Sequence, residues 1–429
     1  MSRSGHAAIA GLLAVVAAAG TLACGSFAAH DGSVPNRRPA RLVRPATSPL
    51  SSMALLGRAI FYDSSLSANR HLSCASCHRP GNAYGPSPGQ PVGTANGIVR
   101  AVPSLRYADR APAFGIGLTM SDADEVPASP PVAGSSNAKV AGAQRPDSLV
   151  ARGGLFWDGR VNTLQDQAMG PLFNPSEMGQ RDLASVRDRL RAASYAQTFV
   201  TLFGPRIFDE PLRLVDEAMF AVARYEIEDP SFHPYDSKYD AYLEGRAPLT
   251  AAEWRGLQAF EDPKRGNCAA CHPSRARGDG LPPAFTDFEY EALGVPAATT
   301  TGADLGACGP LRTDLEAQKQ FCGLFRTPSL RNTATRTAYF HNGAFQTLDQ
   351  VVAFYAFRDT RPDLAYRGQP SSLPKAYAAN LDTTDAPFGR RRGQPAMTEQ
   401  DMRDIVAFLR TLTDGFASPA SNHSRPPGI

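Results

Sequence analysis

Cys-x-x-Cys-His occurs twice in this chain, at Cys74-Ala75-Ser76-Cys77-His78 and at Cys268-Ala269-Ala270-Cys271-His272. At this spacing two thioether bonds hold the edge of a porphyrin while the adjacent imidazole reaches its iron from the proximal side. A zinc site or a redox dithiol would also use paired cysteines. Neither requires the amphipathic helical pattern that precedes both motifs. The chain is therefore expected to carry two covalently bound haem c groups, attached through Cys74, Cys77, Cys268 and Cys271, with His78 and His272 as axial ligands.

The other three of the seven cysteines bear on compartment. Arg3 and His6 precede an apolar run from Ala7 to Ala19 and small residues from Thr21 to Ala29, the layout of a signal peptide. The run is shorter than the roughly 20 residues that span a bilayer. Residues 1–28 are read as a leader and the protein as periplasmic. Cys24 stands in Leu22-Ala23-Cys24-Gly25, which partly resembles a lipoprotein cleavage box, although Thr21 sits where that box prefers Leu. A lipid anchor is the one membrane attachment this leaves open. In an oxidising compartment Cys308 and Cys322 are left to pair; two buried thiols are the alternative.

A length of 429 residues exceeds one ordinary core and predicts two domains. The 44 basic and 41 acidic residues nearly cancel, so no field points to nucleic acid or an anionic membrane. Residues 29–48, rich in Pro and Arg, read as an extended, solvated linker. A first haem domain is expected over 49–245, opening with a helix capped by Ser52, and a second over 246–416, with a disordered tail over 417–429. Thr250 with Glu253, Thr347 with Gln350 and Thr398 with Asp401 mark helix starts. Ala111 to Val150 and Pro362 to Pro395 read as long loops, the latter with an exposed basic patch at Arg390, Arg391 and Arg392. Strand patterns are scarce, so the fold class is all-α with long irregular loops.

The sixth position on each iron decides whether a haem carries electrons or binds a small molecule. No histidine follows His78 until His233. Met120, Met169 and Met178 remain as thioethers for the first iron, and an open first site is the preferred reading.

Further segments resemble the bacterial dihaem cytochrome c peroxidase and MauG superfamily. They are Leu56-Gly57-Arg58 through Phe61-Tyr62-Asp63 with Leu66-Ser67, both haem motifs, Phe156-Trp157-Asp158-Gly159-Arg160, Asn174 to Gly179, Arg326 to Asn332, and Tyr339 to Gly343. They occur in the family's order along nearly all of the chain after the leader. The resemblance implies two cytochrome-c-like helical domains with haems facing a shared interface. It also implies Trp157 between the haems, with Gln167 and Glu177 in the distal pocket of the first. Those types suit the chemistry, because a carboxylate can shuttle a proton between the two oxygens of peroxide while an amide orients it. Fourteen residues after His341, where the peroxidases place Met and MauG-type enzymes Tyr, this chain has Tyr355. A phenolic oxygen favours oxidised iron; Met397 or Met402 is the alternative ligand, and His341 reads as structural or propionate-bonding. Sixteen residues after His78, where relatives carry a histidine that blocks the first iron, stands Thr94. The residue that in relatives contributes an Asn to calcium is Ala101, which leaves calcium between the domains in doubt.

The leading expectation is a periplasmic peroxidase that reduces hydrogen peroxide to water at the first haem. Electrons would be relayed through the second from a small cytochrome c or cupredoxin. A MauG-type enzyme, whose peroxide-derived high-valent haems oxidise residues of a partner protein, is the first alternative. A non-enzymatic dihaem electron carrier is the second.

Overall fold

In the computed structural model the residues described are 32–86, 89, 92–95, 97–118, 149–298, 303–384 and 386–417. The leader with Cys24, Met120 and the tail beyond 417 lie outside them. Eleven α-helices are described: α1 Ser52–Phe61, α2 Cys74–Cys77, α3 Leu164–Phe173, α4 Leu183–Ala192, α5 Ala196–Phe203, α6 Pro211–Glu228, α7 Lys238–Leu243, α8 Ala251–Glu261, α9 Leu348–Phe357, α10 Pro362–Tyr366 and α11 Glu399–Arg410. Three two-stranded antiparallel ladders accompany them: β1 Val92–Ala95 with β2 Ile98–Ala101, β3 Gly115–Leu118 with β4 Leu149–Arg152, and β5 Tyr290–Glu291 with β6 Phe325–Arg326. The protein is mostly helical, and these ladders qualify the all-α expectation. Each strand is at most four residues long, too short to leave an alternating pattern in the sequence.

The described residues from Ser33 onward belong to one compact unit, within which buried side chains gather into two large cores. The first centres on Leu56, Phe61, Val186, Phe199, Leu214 and Val222. The second centres on Leu257, Phe260, Phe285, Phe354, Ile405 and Phe408. One packing device recurs in both. α1 lies so close to α6 that a Cβ on Gly57 would collide with the carbonyl of Ala221, and α8 so close to α11 that one on Gly256 would collide with that of Asp404. Each glycine therefore sets the approach of the helix that leads into a Cys-x-x-Cys-His motif.

Helix starts follow local chemistry. Thr250 with Glu253 and Thr398 with Asp401 form reciprocal capping boxes, and the Thr347 hydroxyl accepts from the Gln350 N–H. The first helix differs from expectation: Ser51 is its N-cap, its hydroxyl accepting from the Ala54 N–H, and Ser52 is the first helical residue. The β3–β4 ladder closes the base of the long loop after Ala111. Arg390, Arg391 and Arg392 are exposed.

Residues 33–48 are extended, as expected, but not solvated along their length. Val34 exchanges backbone bonds with Leu249, Ala40 donates to Leu243 and Val43 to Gly280. Leu42 is buried, and Arg44 donates to both oxygens of Glu244. The proline-rich composition that suggests a linker also suits a strap whose few donors are spent on a neighbouring surface.

Candidate active site

The first Cys-x-x-Cys-His motif is an α-helical turn and the second a 3-10 turn, but both place their histidine alike. The N–H of His78 donates to the Cys74 carbonyl and that of His272 to the Cys268 carbonyl, each at 2.8 Å, so the imidazole follows directly from a tight turn. Nδ1 of His78 meets the carbonyl oxygen of Tyr84 at 3.2 Å, and Nδ1 of His272 that of Phe285 at 2.8 Å. A carbonyl only accepts, so Nδ1 carries the proton and Nε2 keeps a lone pair for a metal. Burial pushes both imidazoles down to about 4, against the partial support of those carbonyls, which holds them neutral as a ligand must be. Tyr84 and Phe285 both have left-handed backbone, at φ 52 and 54, uncommon for bulky residues. The same strained aromatic thus turns its carbonyl towards the histidine in each half.

Cys308 and Cys322 form a disulfide, with Cα atoms 4.8 Å apart, which leaves the four motif cysteines outside it. Burial pushes the Cys74 and Cys268 thiols up to about 12. Cys268, Cys271 and His272 line a large, mainly apolar cavity together with Trp157 and Tyr355. A slot walled by both thioether-forming cysteines and a neutral histidine fits haem c.

Tyr355, from α9, lines the cavity and stacks against Phe388 with ring centroids 5.6 Å apart, tilting against Phe340 at 5.8 Å. Burial and the nearby Cys271 and Cys268 raise its phenol well above the ordinary value. Among the described residues no methionine lines this cavity, while Met397 is buried in the second core and Met402 packs against it. The cavity's other tyrosine, Tyr339, spends its hydroxyl on the Thr333 and Arg336 carbonyls. His341 lies flat on Phe325, centroids 3.5 Å apart, and burial pushes it down to about 4.

In the first half, Glu177 sits in the turn that follows α3. Its Oε1 accepts from Asn174 Nδ2 at 2.7 Å, and the same amide donates to the Thr94 carbonyl at 3.1 Å. Strand β1, at the position where relatives carry a blocking histidine, thus buttresses the glutamate through its backbone. Burial raises the Glu177 carboxyl above its usual range, opposed by Asn174 and by the positive charge of Arg160. Glu177 in turn raises the Cys77 thiol, after burial, which places it within electrostatic reach of the first motif. Gln167 is buried on α3; no hydrogen bond joins it to Glu177 among the described residues. Met178 is buried in the first core and Met169 packs against it.

Trp157 lines the second motif's cavity. Its neighbour Asp158, fully buried, accepts from Arg100 at 2.7 Å and from Arg160 at 2.9 Å. Arg100 also grips Asp304 through two bonds of 2.8 Å. Gly159, at φ 66, has no room for a side chain against Tyr290. Asn174 and Arg160 stand in segments that carry the family resemblance, and Arg100 stands in none of them. The Asn-Pro-x-Glu spacing could have revealed the first; nothing local could have paired Arg100 with Asp304.

Calcium between the domains, left in doubt by Ala101, is not shown: the Ala101 carbonyl accepts from the Trp157 indole, and among the described residues no three His, Cys, Asp or Glu side chains converge on a metal position. No step below uses calcium. Nor is any helix among the described residues long and apolar enough to cross a membrane.

Comparison with known proteins yields consistent matches. A family model described as di-haem cytochrome c peroxidase matches residues 51–248. The chain is 34% identical over 413 residues to methylamine utilization protein MauG of Paracoccus denitrificans, covering 91% of this chain and 95% of that protein. It is 26% identical over 396 residues to cytochrome c551 peroxidase of Nitrosomonas europaea, covering 92% and 89% respectively. The crystal structure of the diheme peroxidase BthA from Burkholderia thailandensis superposes with a TM-score of 0.72 at 33% identity, covering 89% of this chain and 95% of that one.

Proposed function

Because this chain belongs to the di-haem cytochrome c peroxidase family, we propose that it reduces hydrogen peroxide to two waters at the first Cys-x-x-Cys-His site, with two protons and with two electrons relayed through the second. The observation that carries this reading is Glu177: a half-buried carboxylate, tethered by Asn174 and under the positive charge of Arg160, within electrostatic reach of the first motif. Haem c at each motif supplies an iron that can bind peroxide or exchange electrons. His78 and His272 would each hold the iron of the haem at its motif through Nε2. Glu177 takes a proton from the near oxygen of peroxide and returns it to the leaving oxygen. Gln167 orients the peroxide, and Trp157 couples the two sites. Tyr355 would offer its phenolic oxygen to the haem of the second site, while Met169 and Met178 are engaged in the first core and would not serve the first. The two cores are read as two cytochrome-c-like domains, 49–245 and 246–416, and the protein as periplasmic.

Two donors fit: a small cytochrome c or cupredoxin, or a partner protein whose residues are oxidised. Tyr355 on the cavity wall and Thr94 in place of a blocking histidine favour the second. Absorption and EPR spectra of the ferric holoprotein test the common part. The expected result is one high-spin haem beside one low-spin haem, with rapid reaction of the first with peroxide. Two low-spin, peroxide-inert haems would leave only an electron carrier. Turnover with a reduced small cytochrome, set against peroxide-dependent modification of a co-expressed partner, separates the donors.

A further inference from the structure

Most deeply placed arginines of this protein face a carboxylate. Arg100 grips Asp158 and Asp304, Arg331 grips Asp240, Arg358 grips Asp359 and Arg312 grips Asp314. Arg326 and Arg336 break the pattern. Both line the cavity of the second motif. Arg326 donates from Nε to the Phe156 carbonyl at 3.3 Å and lies over the Phe288 ring at 5.9 Å; its terminal nitrogens have no hydrogen-bond partner among the described residues. Arg336 holds none with its side chain, and neither forms an ion pair there. Among the described residues three carboxylates line the cavity, Glu291, Asp304 and Asp382, and Asp304 is already committed to Arg100.

A guanidinium keeps its charge in proteins, and a charge withdrawn from water without an anion is costly. Burial lowers the pKa of both groups, Arg326 with partial support from Tyr290 and Asp158, Arg336 from Tyr339. Two cations without an ion-pair partner in the lining of one cavity therefore call for anions in the space they face. A haem attached at Cys268 and Cys271 brings two carboxylates. We propose that Arg326 and Arg336 receive the two propionates of the second haem, one guanidinium to each, an inference that rests on the cavity taking that haem. The pairs fix the rotation of the porphyrin about its thioether edge and keep both propionates ionised. Arg326 follows Phe325 on β6, its backbone N–H donates to the Trp157 carbonyl at 2.9 Å, and Trp157 lines the same cavity. The clamp thereby ties the haem edge to the inter-site tryptophan.

The test uses the holoprotein carrying Arg326→Gln, Arg336→Gln, or Lys at either position. Intact mass counts the covalent haems, and spectroelectrochemical titration follows the low-spin haem from about pH 5 to pH 8, the range over which a released carboxylate would titrate. A wild-type mass with fewer than two haems would fail the underlying reading and not the clamp alone. With two haems in place, each Gln variant is expected to show a lowered midpoint potential that now rises as the pH falls, while each Lys variant stays near the wild-type potential. Gln variants with two haems and an unchanged potential and pH profile overturn the proposal. If a Gln variant is recovered without the second haem, its Lys counterpart decides: haem retention with a near-native potential supports the clamp, and equal loss overturns it.

Discussion

The indole of Trp157 and the main chain of His341 are joined through a single residue, Ala101. Trp157 Nε1 donates to the Ala101 carbonyl at 2.8 Å, and the Ala101 N–H donates to the His341 carbonyl at 2.7 Å. The residue that strand β2 contributes here is small, and its backbone does the joining. Trp157→Phe removes the donor and leaves the Ala101 oxygen short of a partner, a loss of about 1–3 kcal/mol. It is expected to slow the arrival of oxidising equivalents at the second haem while the first still reacts with peroxide. Stopped-flow spectra resolved for the two haems measure this directly. A second haem that responds at the native rate would remove Trp157 from the electron path.

Glu177→Gln is expected to reduce peroxide turnover by roughly 10²–10⁴-fold, the usual worth of a positioned acid-base group. The pH profile carries a sharper test. The proton acceptor is the carboxylate, and burial raises the pKa of Glu177, so activity should fall away on the acid side above the ordinary carboxylate value. Asn174 donates to the charged form and lowers that pKa. Asn174→Ala should therefore move the acid limb of kcat/KM to still higher pH, and an unmoved limb would mean that another group sets it.

Replacing the second site's phenol separates ligation from packing. Tyr355→Met should raise the midpoint potential of the low-spin haem, because a thioether with histidine favours reduced iron relative to a phenolic oxygen. Tyr355→Phe keeps the stacking on Phe388 and Phe340 but removes the oxygen, and is expected to convert the low-spin ferric signal to high-spin. Unchanged spectra in both variants would return Tyr355 to the role of a packing residue.

What the sequence made legible was chemistry written in adjacent residues. The haem motifs, the Thr250–Glu253 and Thr398–Asp401 boxes and the leftover pair Cys308–Cys322 each depend on spacing or on elimination, and the two boxes and the disulfide are found in the structure. What escaped depends on partners far along the chain. Gly57 and Gly256 look like ordinary breaks in a helical pattern until α6 and α11 are laid against them. Arg100 and Asp304 are 204 positions apart. The strap 33–48 is polar enough to be solvated, and only Leu243, Leu249 and Gly280 show where its backbone bonds go.

The buried pair Arg331–Asp240 makes a prediction about stability rather than catalysis. Two bonds of 2.9 and 2.7 Å join them, the guanidinium lies 4.9 Å from the rings of both Tyr107 and Tyr235, and Ser237 donates to the same carboxylate from its N–H and hydroxyl. Against the burial that would raise it, Arg331 and Ser237 hold the Asp240 pKa below its usual value. A depressed folded pKa gives stability that is present above the unfolded value, about 3.9, and is lost as the pH falls through the folded one. Arg331→Met leaves a buried carboxylate without its cation, at a cost of about 3–5 kcal/mol. In that variant burial prevails and the Asp240 pKa rises above its unfolded value, so the penalty should be greatest at neutral pH and shrink as acid protonates the group. Urea unfolding of wild type and variant at about pH 7 and about pH 4.5 reads the difference. A gap between the two midpoints that is as wide in acid as at neutrality would show that lost packing, not the unpaired charge, accounts for the destabilisation.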